Sequence, residues 1–173
     1  QSAWDTETAI THSDWWWSAQ NMTGAYAQIR AWNVTPLTRI DYTWNDTVPA
    51  PADPNYAGWP VAVRNAVNVL APWTRFWVIG NEPNLLMVPG SLWPNRQVPP
   101  ADYAQIYRNV RNEIRASAIA SPEGSHIVLV AGPSPGPMIP GVRWMSGTDW
   151  LDQVLANIPA SEVDGIAIHA YAG

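Results

Sequence analysis

Apolar residues follow two alternating patterns along the chain. Four segments carry apolar side chains every three or four positions, as amphipathic helices do: 14–32, 57–70, 101–119 and 149–158. Four others are short runs rich in β-branched and aromatic residues, typical of buried parallel strands: 37–44, 76–79, 126–131 and 164–173. This alternation predicts right-handed βα crossovers and a parallel sheet. Residues 1–11 are polar and predict no element.

The loops differ in length on the two sides of the predicted sheet. Loops that enter a strand are short, whereas those that leave one are long and rich in Pro, Gly, Asn and Trp: 44–57, 85–100 and 132–147. The elaborated side is therefore the carboxyl side, where α/β sheets and β/α barrels hold their ligands.

The second predicted strand, 76–79, runs directly into Gly80, Asn81, Glu82 and Pro83. A carboxylate at the carboxyl end of a buried strand is costly to bury unless it is paired or hydrogen-bonded. Glu82 is therefore the first candidate for a functional residue. The competing interpretation is that Glu82 caps the next helix or lies in a solvated loop, because solvent returns at strand ends.

A buried strand that ends in Asn-Glu-Pro resembles the fourth strand of the clan A retaining glycoside hydrolases, which are eight-stranded β/α barrels. The resemblance implies that Asn81 binds a sugar hydroxyl beside the cleaved bond and that Glu82 is the general acid/base. It places strand 37–44 third, so the chain would span strands three to six. The predicted fold is a partial TIM-type (β/α) barrel of the α/β class, with about four βα units in one domain over residues 1–173.

Polar residues on two other strands are further candidates. Arg39 and Asp41 share one face of their strand and are predicted to line the barrel interior near Glu82; the alternative is a structural ion pair. The last strand ends in His-x-Tyr, which resembles the family's sixth strand. That resemblance implies that His169 and Tyr171 touch the substrate and position the nucleophile. Without it, a lone His near a strand end is more often a hydrogen-bonded core residue.

The resemblance raises two difficulties. Strict strand alternation would put Asn81 and Glu82 on opposite faces, so both serve one site only if the strand ends or bulges there. Retaining hydrolysis also needs two carboxyl groups about 5 Å apart. The family's nucleophile is a Glu at the end of the seventh strand, and the residues up to Gly173 include no counterpart of it.

Tryptophan is unusually frequent, with twelve Trp against one Phe. A Trp ring offers a large flat face and an indole donor, which suits stacking on sugar rings. Trp59 and Trp77 fall within a helix and a strand and are predicted to be core residues. The strand-exit loops contain Trp44, Trp93 and Trp144, which are predicted to stack on sugar.

Composition narrows the range of partners. A net charge of −5 with 13% charged residues argues against a nucleic-acid partner. No apolar run approaches the roughly 20 residues of a membrane span. There is no Cys and no phosphate-binding loop, and His12, His126 and His169 are too scattered to suggest a metal site. We therefore predict a carbohydrate partner, no cofactor and no metal, and leave the compartment open, with secretion as one option.

The predicted function is hydrolysis of O-glycosidic bonds in an oligo- or polysaccharide, in a complete chain that supplies the nucleophile; this chain alone would be inactive. The alternatives are a carbohydrate-binding pseudoenzyme and a non-catalytic barrel fragment. Four strands would leave unpaired edges at 37–44 and 164–173 and an apolar inner face. We expect a second copy, as a homodimer, or the missing barrel half to cover these surfaces.

Overall fold

The computed structural model describes residues 3–11, 18–44, 46–86, 91–93 and 97–169, and only the backbone of residues 3–7 and 10. Within these residues, strands alternate with helices. The strands are β1 (Ala3–Ile10), β2 (Val34–Asp41), β3 (Phe76–Ile79) and β4 (Ile127–Val130). The helices are α1 (Ala19–Ala31), α2 (Trp59–Leu70), α3 (Pro100–Arg115) and α4 (Gly147–Ala156), followed by a 3-10 turn at Ala160–Glu162.

The strands form one parallel sheet in the order β1-β2-β3-β4, which confirms the parallel sheet predicted from the alternation. Ile166 adds an isolated parallel bridge to Val130, at the position of a further strand. The Asp164 side chain continues this pairing, because its Oδ2 accepts a hydrogen bond from the Val128 N–H at 2.9 Å. The last predicted strand is thus paired around Ile166, and residues 170–173 lie outside the described part.

Strand β1 was missed by the sequence analysis, in which residues 1–11 are uninformative. Strand β1 pairs with β2 along its whole length, from Ala3 opposite Val34 to Ile10 opposite Asp41. A parallel ladder is made of backbone N–H and C=O groups, so an edge strand needs no continuous apolar run. The expectation that strand 37–44 is an unpaired edge is therefore wrong, because β1 pairs with β2 along that edge.

Most other boundaries move by a few residues. Strand β2 begins at Val34, three residues before the predicted start, and ends at Asp41. It ends there because the Tyr42 N–H bonds to the Thr47 carbonyl at 3.0 Å and turns the chain into a tight loop. The first predicted helix began at residue 14, but residues 12–17 lie outside the described part and α1 begins at Ala19.

The core lies between the sheet and the helices. Positions that share a row across β2, β3 and β4 share a face of the sheet, and the register aligns Thr38, Trp77 and Val128 in one such row. All three are fully buried, and the Thr38 hydroxyl bonds to Tyr26 of α1 at 2.6 Å. That face is therefore the outer one, which the helices cover.

The opposite, inner face of the sheet is only partly covered. Its first row consists of Leu37, Phe76 and Ile127, which are all half-buried. Half-buried and buried side chains alternate along β4, as the pleat requires, whereas in β3 only Phe76 is half-buried. Among the described helices, none is long and apolar enough to cross a membrane.

Candidate active site

The turn after β3 has an unusual backbone. Gly80 has φ 86° and Glu82 has φ 44°, so both lie in the left-handed region. Gly80 is needed for a second reason, because a Cβ there would lie 2.8 Å from the Thr47 Oγ1. Regular alternation stops at Ile79. The strand therefore ends before Asn81 and Glu82, which removes the objection that alternation would send them to opposite faces.

Glu82 occupies a backbone conformation that a non-glycine residue adopts at a cost of about 1–3 kcal/mol. Hydrogen bonds on both sides hold it there. Its N–H donates to the Gly132 carbonyl at 3.2 Å, and its own carbonyl accepts from the Leu85 N–H at 2.9 Å. Strained residues of this kind cluster at functional sites, which supports Glu82 as a site residue.

The Glu82 carboxyl meets His169 from the far end of the chain. Glu82 Oε1 lies 2.9 Å from His169 Nδ1, and their side chains are 14% and 25% exposed. When Glu82 is ionised, the Nδ1–H of His169 donates this hydrogen bond. A Cβ on Gly132 would lie 2.9 Å from both the Ala167 carbonyl oxygen and His169 Cδ2, so glycine is what lets this segment approach.

Arg39 and Asp41 form the ion pair that was the alternative to a site-lining role. The Arg39 Nε donates to Asp41 Oδ2 at 2.9 Å, and the residue Asp41 is 7% exposed. Burial raises the pKa of Asp41 above its ordinary value, against the lowering effect of the Arg39 charge and of the Thr47 hydrogen bond. The pair is therefore partly buried and lies one short link away from the turn.

Thr47 provides that link. Its hydroxyl donates to Asp41 Oδ1 at 2.8 Å and accepts a hydrogen bond from the Asn81 N–H. The Asn81 side chain is half-buried. It has no hydrogen-bond partner within the part of the chain that the structure describes, so its amide is free to bind a ligand.

Asn84 is a site-supporting residue that the sequence analysis missed. It is fully buried, its Nδ2 donates to the Ser134 carbonyl at 3.0 Å, and its Oδ1 accepts from the Ser134 N–H at 2.7 Å. This two-way bond joins the turn after β3 to the loop after β4. The signal in the sequence is an amide flanked by Pro83 and Leu85, where solvation is poor.

The predicted sugar-stacking residues divide into two groups. Trp44 and Trp144 lie in strand-exit loops with 58% and 39% of their surface exposed, so their rings are accessible. Trp93 is 2% exposed, and its indole N–H donates to the Val48 carbonyl at 2.8 Å. The prediction for Trp93 is wrong, because its ring packs into the core although its segment is a loop.

Trp59 and Trp77 are buried core residues, as predicted. Tyr171 lies outside the described residues. A largely apolar cavity of about 270 Å³ adjoins His169. Within the described ranges, no three His, Asp or Glu residues are grouped so that they could hold a metal ion.

No known family model matches the sequence, and no curated protein matches it. The structure, in contrast, is similar to that of a fungal β-1,4-galactanase, with a TM-score of 0.63 and 17% sequence identity. The similarity covers 96% of this chain and 50% of the galactanase chain. The fold is therefore a partial TIM-type (β/α) barrel, as predicted. The chain spans half the length of this neighbour.

Proposed function

We propose that this chain is the part of a retaining glycoside hydrolase that holds the general acid/base, Glu82. The complete enzyme would cleave O-glycosidic bonds in an oligo- or polysaccharide. The observation that carries the proposal is the Glu82 carboxyl, held by a strained backbone at the end of a barrel strand and hydrogen-bonded to His169 at 2.9 Å. The galactanase neighbour makes β-1,4-galactan the first substrate to test.

In this proposal Glu82 acts twice. It first protonates the glycosidic oxygen while a second carboxylate attacks the sugar, and it then takes a proton from water as the glycosyl intermediate is hydrolysed. His169 bonds to Oε1 at 2.9 Å and would hold the carboxyl in place for proton transfer to the leaving group. The Asn81 amide would hydrogen-bond a sugar hydroxyl beside the cleaved bond.

The strand count suggests which part of a barrel the chain represents. Among the described residues, β1 to β4 and the segment around Ile166 give five strand positions, whereas a complete barrel has eight. If β3 is the fourth strand, β1 is the second, and the chain spans strands two to six rather than three to six. The nucleophile would then come from the seventh strand, among the three that complete the barrel.

This count changes the expected partner of the inner face. Two copies would bring ten strand positions, which is too many for an eight-stranded barrel. We therefore propose that three further strands of the same barrel, rather than a second copy, cover the inner face in the complete protein. The isolated chain is expected to self-associate through its open edges, which sedimentation at micromolar concentration would detect; a monomer would contradict that expectation.

The acid/base role is tested by substitution of Glu82 in the complete enzyme. Glu82→Gln should lower turnover of β-1,4-galactan by about 10²–10⁴-fold. It should lower kcat/KM for a dinitrophenyl glycoside much less, because kcat/KM reports the first step and that leaving group needs no proton. Equal losses on the two substrates would contradict the proposed role.

A second candidate function is carbohydrate binding without turnover, which the exposed rings of Trp44 and Trp144 favour. In this chain, a titration with β-1,4-linked galacto-oligosaccharides should quench Trp fluorescence. Trp44→Ala and Trp144→Ala should each weaken binding. Trp32→Ala is the matched control, because Trp32 is 67% exposed but follows α1, where the chain enters the sheet. Equal effects at all three positions would exclude a specific site.

A further inference from the structure

We infer that Thr47 is a positioning residue for the acid/base: its hydroxyl fixes the Asn81 peptide and so sets where Asn81 and Glu82 point. The inference rests on the proposed function for its catalytic meaning. Its structural content, a hydroxyl-held peptide next to Glu82, is testable without any activity.

The hydroxyl of Thr47 is fully engaged in the link. It donates to Asp41 Oδ1 at 2.8 Å, and the Asn81 N–H donates to it. The residue is 7% exposed, so water has little access to replace either partner. A hydroxyl has one proton to donate. Because the Thr47 hydroxyl donates that proton in its hydrogen bond to Asp41, its oxygen acts only as an acceptor toward the Asn81 N–H.

The position of this hydroxyl is set by β2 and not by the turn it holds. The loop after β2 closes through two backbone bonds, from the Tyr42 N–H to the Thr47 carbonyl at 3.0 Å and from the Thr43 N–H to the Asp46 carbonyl at 2.9 Å. Asp41 is anchored in turn by Arg39 at 2.9 Å. Thr47 therefore transmits the position of a regular strand to an irregular turn.

The turn after β3 is held by contacts from both neighbouring strands. From the β2 side, Thr47 holds the Asn81 N–H and packs against Gly80, where a Cβ would clash at 2.8 Å. From the β4 side, the Gly132 carbonyl accepts from the Glu82 N–H at 3.2 Å. A left-handed Glu persists only where its surroundings over-determine it. Loss of the Thr47–Asn81 hydrogen bond should therefore allow Glu82 to leave the left-handed conformation and its contact with His169.

Thr74 supplies a matched control at the other end of β3. Its buried hydroxyl also makes two hydrogen bonds: it donates to the Pro36 carbonyl of β2 at 2.6 Å and accepts from the Phe76 N–H of its own segment at 3.1 Å. Thr74 is fully buried. Thr74→Val thus removes one donated and one accepted hydrogen bond, as Thr47→Val does, but at the end of β3 away from Glu82.

The test uses amide hydrogen exchange and imidazole ¹⁵N shifts of the 173-residue chain. In Thr47→Val, exchange of the Asn81 and Glu82 amides should accelerate relative to the unmodified chain. This acceleration should be roughly five- to tenfold greater than that of the Ile40 and Val78 amides, as expected for one lost hydrogen bond. The His169 ¹⁵N shifts should move toward those of an imidazole without a carboxylate partner. Thr47→Ser should restore both signals, and Thr74→Val should leave both unchanged.

The proposal is overturned if Thr47→Val accelerates all amides equally, or if Thr74→Val shifts the His169 signals as much as Thr47→Val does. Unfolding of Thr47→Val would not remove the test, because the Asn81 amide of the unmodified chain must itself be protected, and exchange at the unprotected rate would refute the link. If the exchange results hold but the unmodified chain binds no galacto-oligosaccharide and Glu82→Gln leaves the complete enzyme active, the proposed function fails while the link stands.

Discussion

The two ends of the parallel sheet hold their polar groups in different ways. At the amino end, Asp164 is held by Arg111, Arg115 and the Val128 N–H, so its charge is paired with two guanidinium groups. At the carboxyl end, Glu82 contacts His169 through its carboxyl group and lies on a strained backbone. The first end is arranged for stability. The second carries backbone strain of the kind that clusters at functional sites.

The largest expected effect concerns Tyr103, which sits where β3 and β4 separate at the carboxyl end. Its buried hydroxyl donates to the Ile79 carbonyl and accepts from the Ala131 N–H, both at 2.7 Å. Tyr103→Phe leaves two buried backbone groups without partners and should cost about 2–4 kcal/mol of unfolding free energy. Urea denaturation measures it.

Tyr107 is the control for Tyr103, one helical turn along α3 and nearer the amino end. Its hydroxyl contacts two carbonyls, those of Val128 at 2.9 Å and Glu162 at 3.1 Å. The Asp164 backbone also bonds to this hydroxyl, but the site is only partly buried, so Tyr107→Phe should cost less than Tyr103→Phe, about 1 kcal/mol. If Tyr107→Phe lost more unfolding free energy than Tyr103→Phe, the carboxyl end of the sheet would not depend especially on the Tyr103 hydroxyl between β3 and β4.

Parts of this arrangement are readable from sequence. The stripes of α2 and α3 (Val63, Val67 and Leu70; Tyr103, Tyr107 and Ile114) place both helices to within a few residues, because helix burial imposes a period. Strand β1 was not predictable, because the backbone hydrogen bonds that form a strand ladder place few requirements on side-chain type. The contact between Glu82 and His169 spans 87 positions. Each residue is predictable as a strand-end group, but their meeting depends on the space left at Gly132.

The next prediction is the pH dependence of Asp164 at the amino end. Partial burial opposes ionisation, but hydrogen bonds from Arg111, the Val128 N–H and Arg115 outweigh it and lower the pKa of Asp164 below its ordinary 3.8. A lowered pKa stabilises the fold above 3.8, and the contribution is lost as pH falls through the folded value. Asp164→Asn should cost about 2 kcal/mol at pH 7, and urea denaturation at a series of pH values should show this cost shrinking as pH falls below 3.8.

Asp41 at the carboxyl end should show the opposite slope. Burial raises its pKa above 3.8, so its stabilising contribution is present below 3.8 and is lost as pH rises through the folded value. Asp41→Asn should cost about 1 kcal/mol in acid, through weaker bonds to Arg39 and Thr47, and less at pH 7. Parallel slopes for Asp41→Asn and Asp164→Asn would erase the contrast between the two ends.

The smallest effect separates the two non-glycine residues with left-handed backbones among the described residues, Asn33 before β2 and Glu82 after β3, with φ 59° and 44°. Gly adopts this region freely and Ala does not. At both positions the Gly variant should therefore be more stable than the Ala variant by about 1 kcal/mol, measured by thermal or urea unfolding.

The unmodified residues should fall at opposite ends of that scale. Asn tolerates the left-handed region, so the chain with Asn33 should match Asn33→Gly. Glu does not, so the chain with Glu82 should lie near Glu82→Ala, and Glu82→Gly should be the more stable protein although it has no acid/base. If Glu82→Gly were instead no more stable than Glu82→Ala, the backbone at residue 82 would carry no strain, and the carboxyl end would lose the feature that distinguishes it from the amino end.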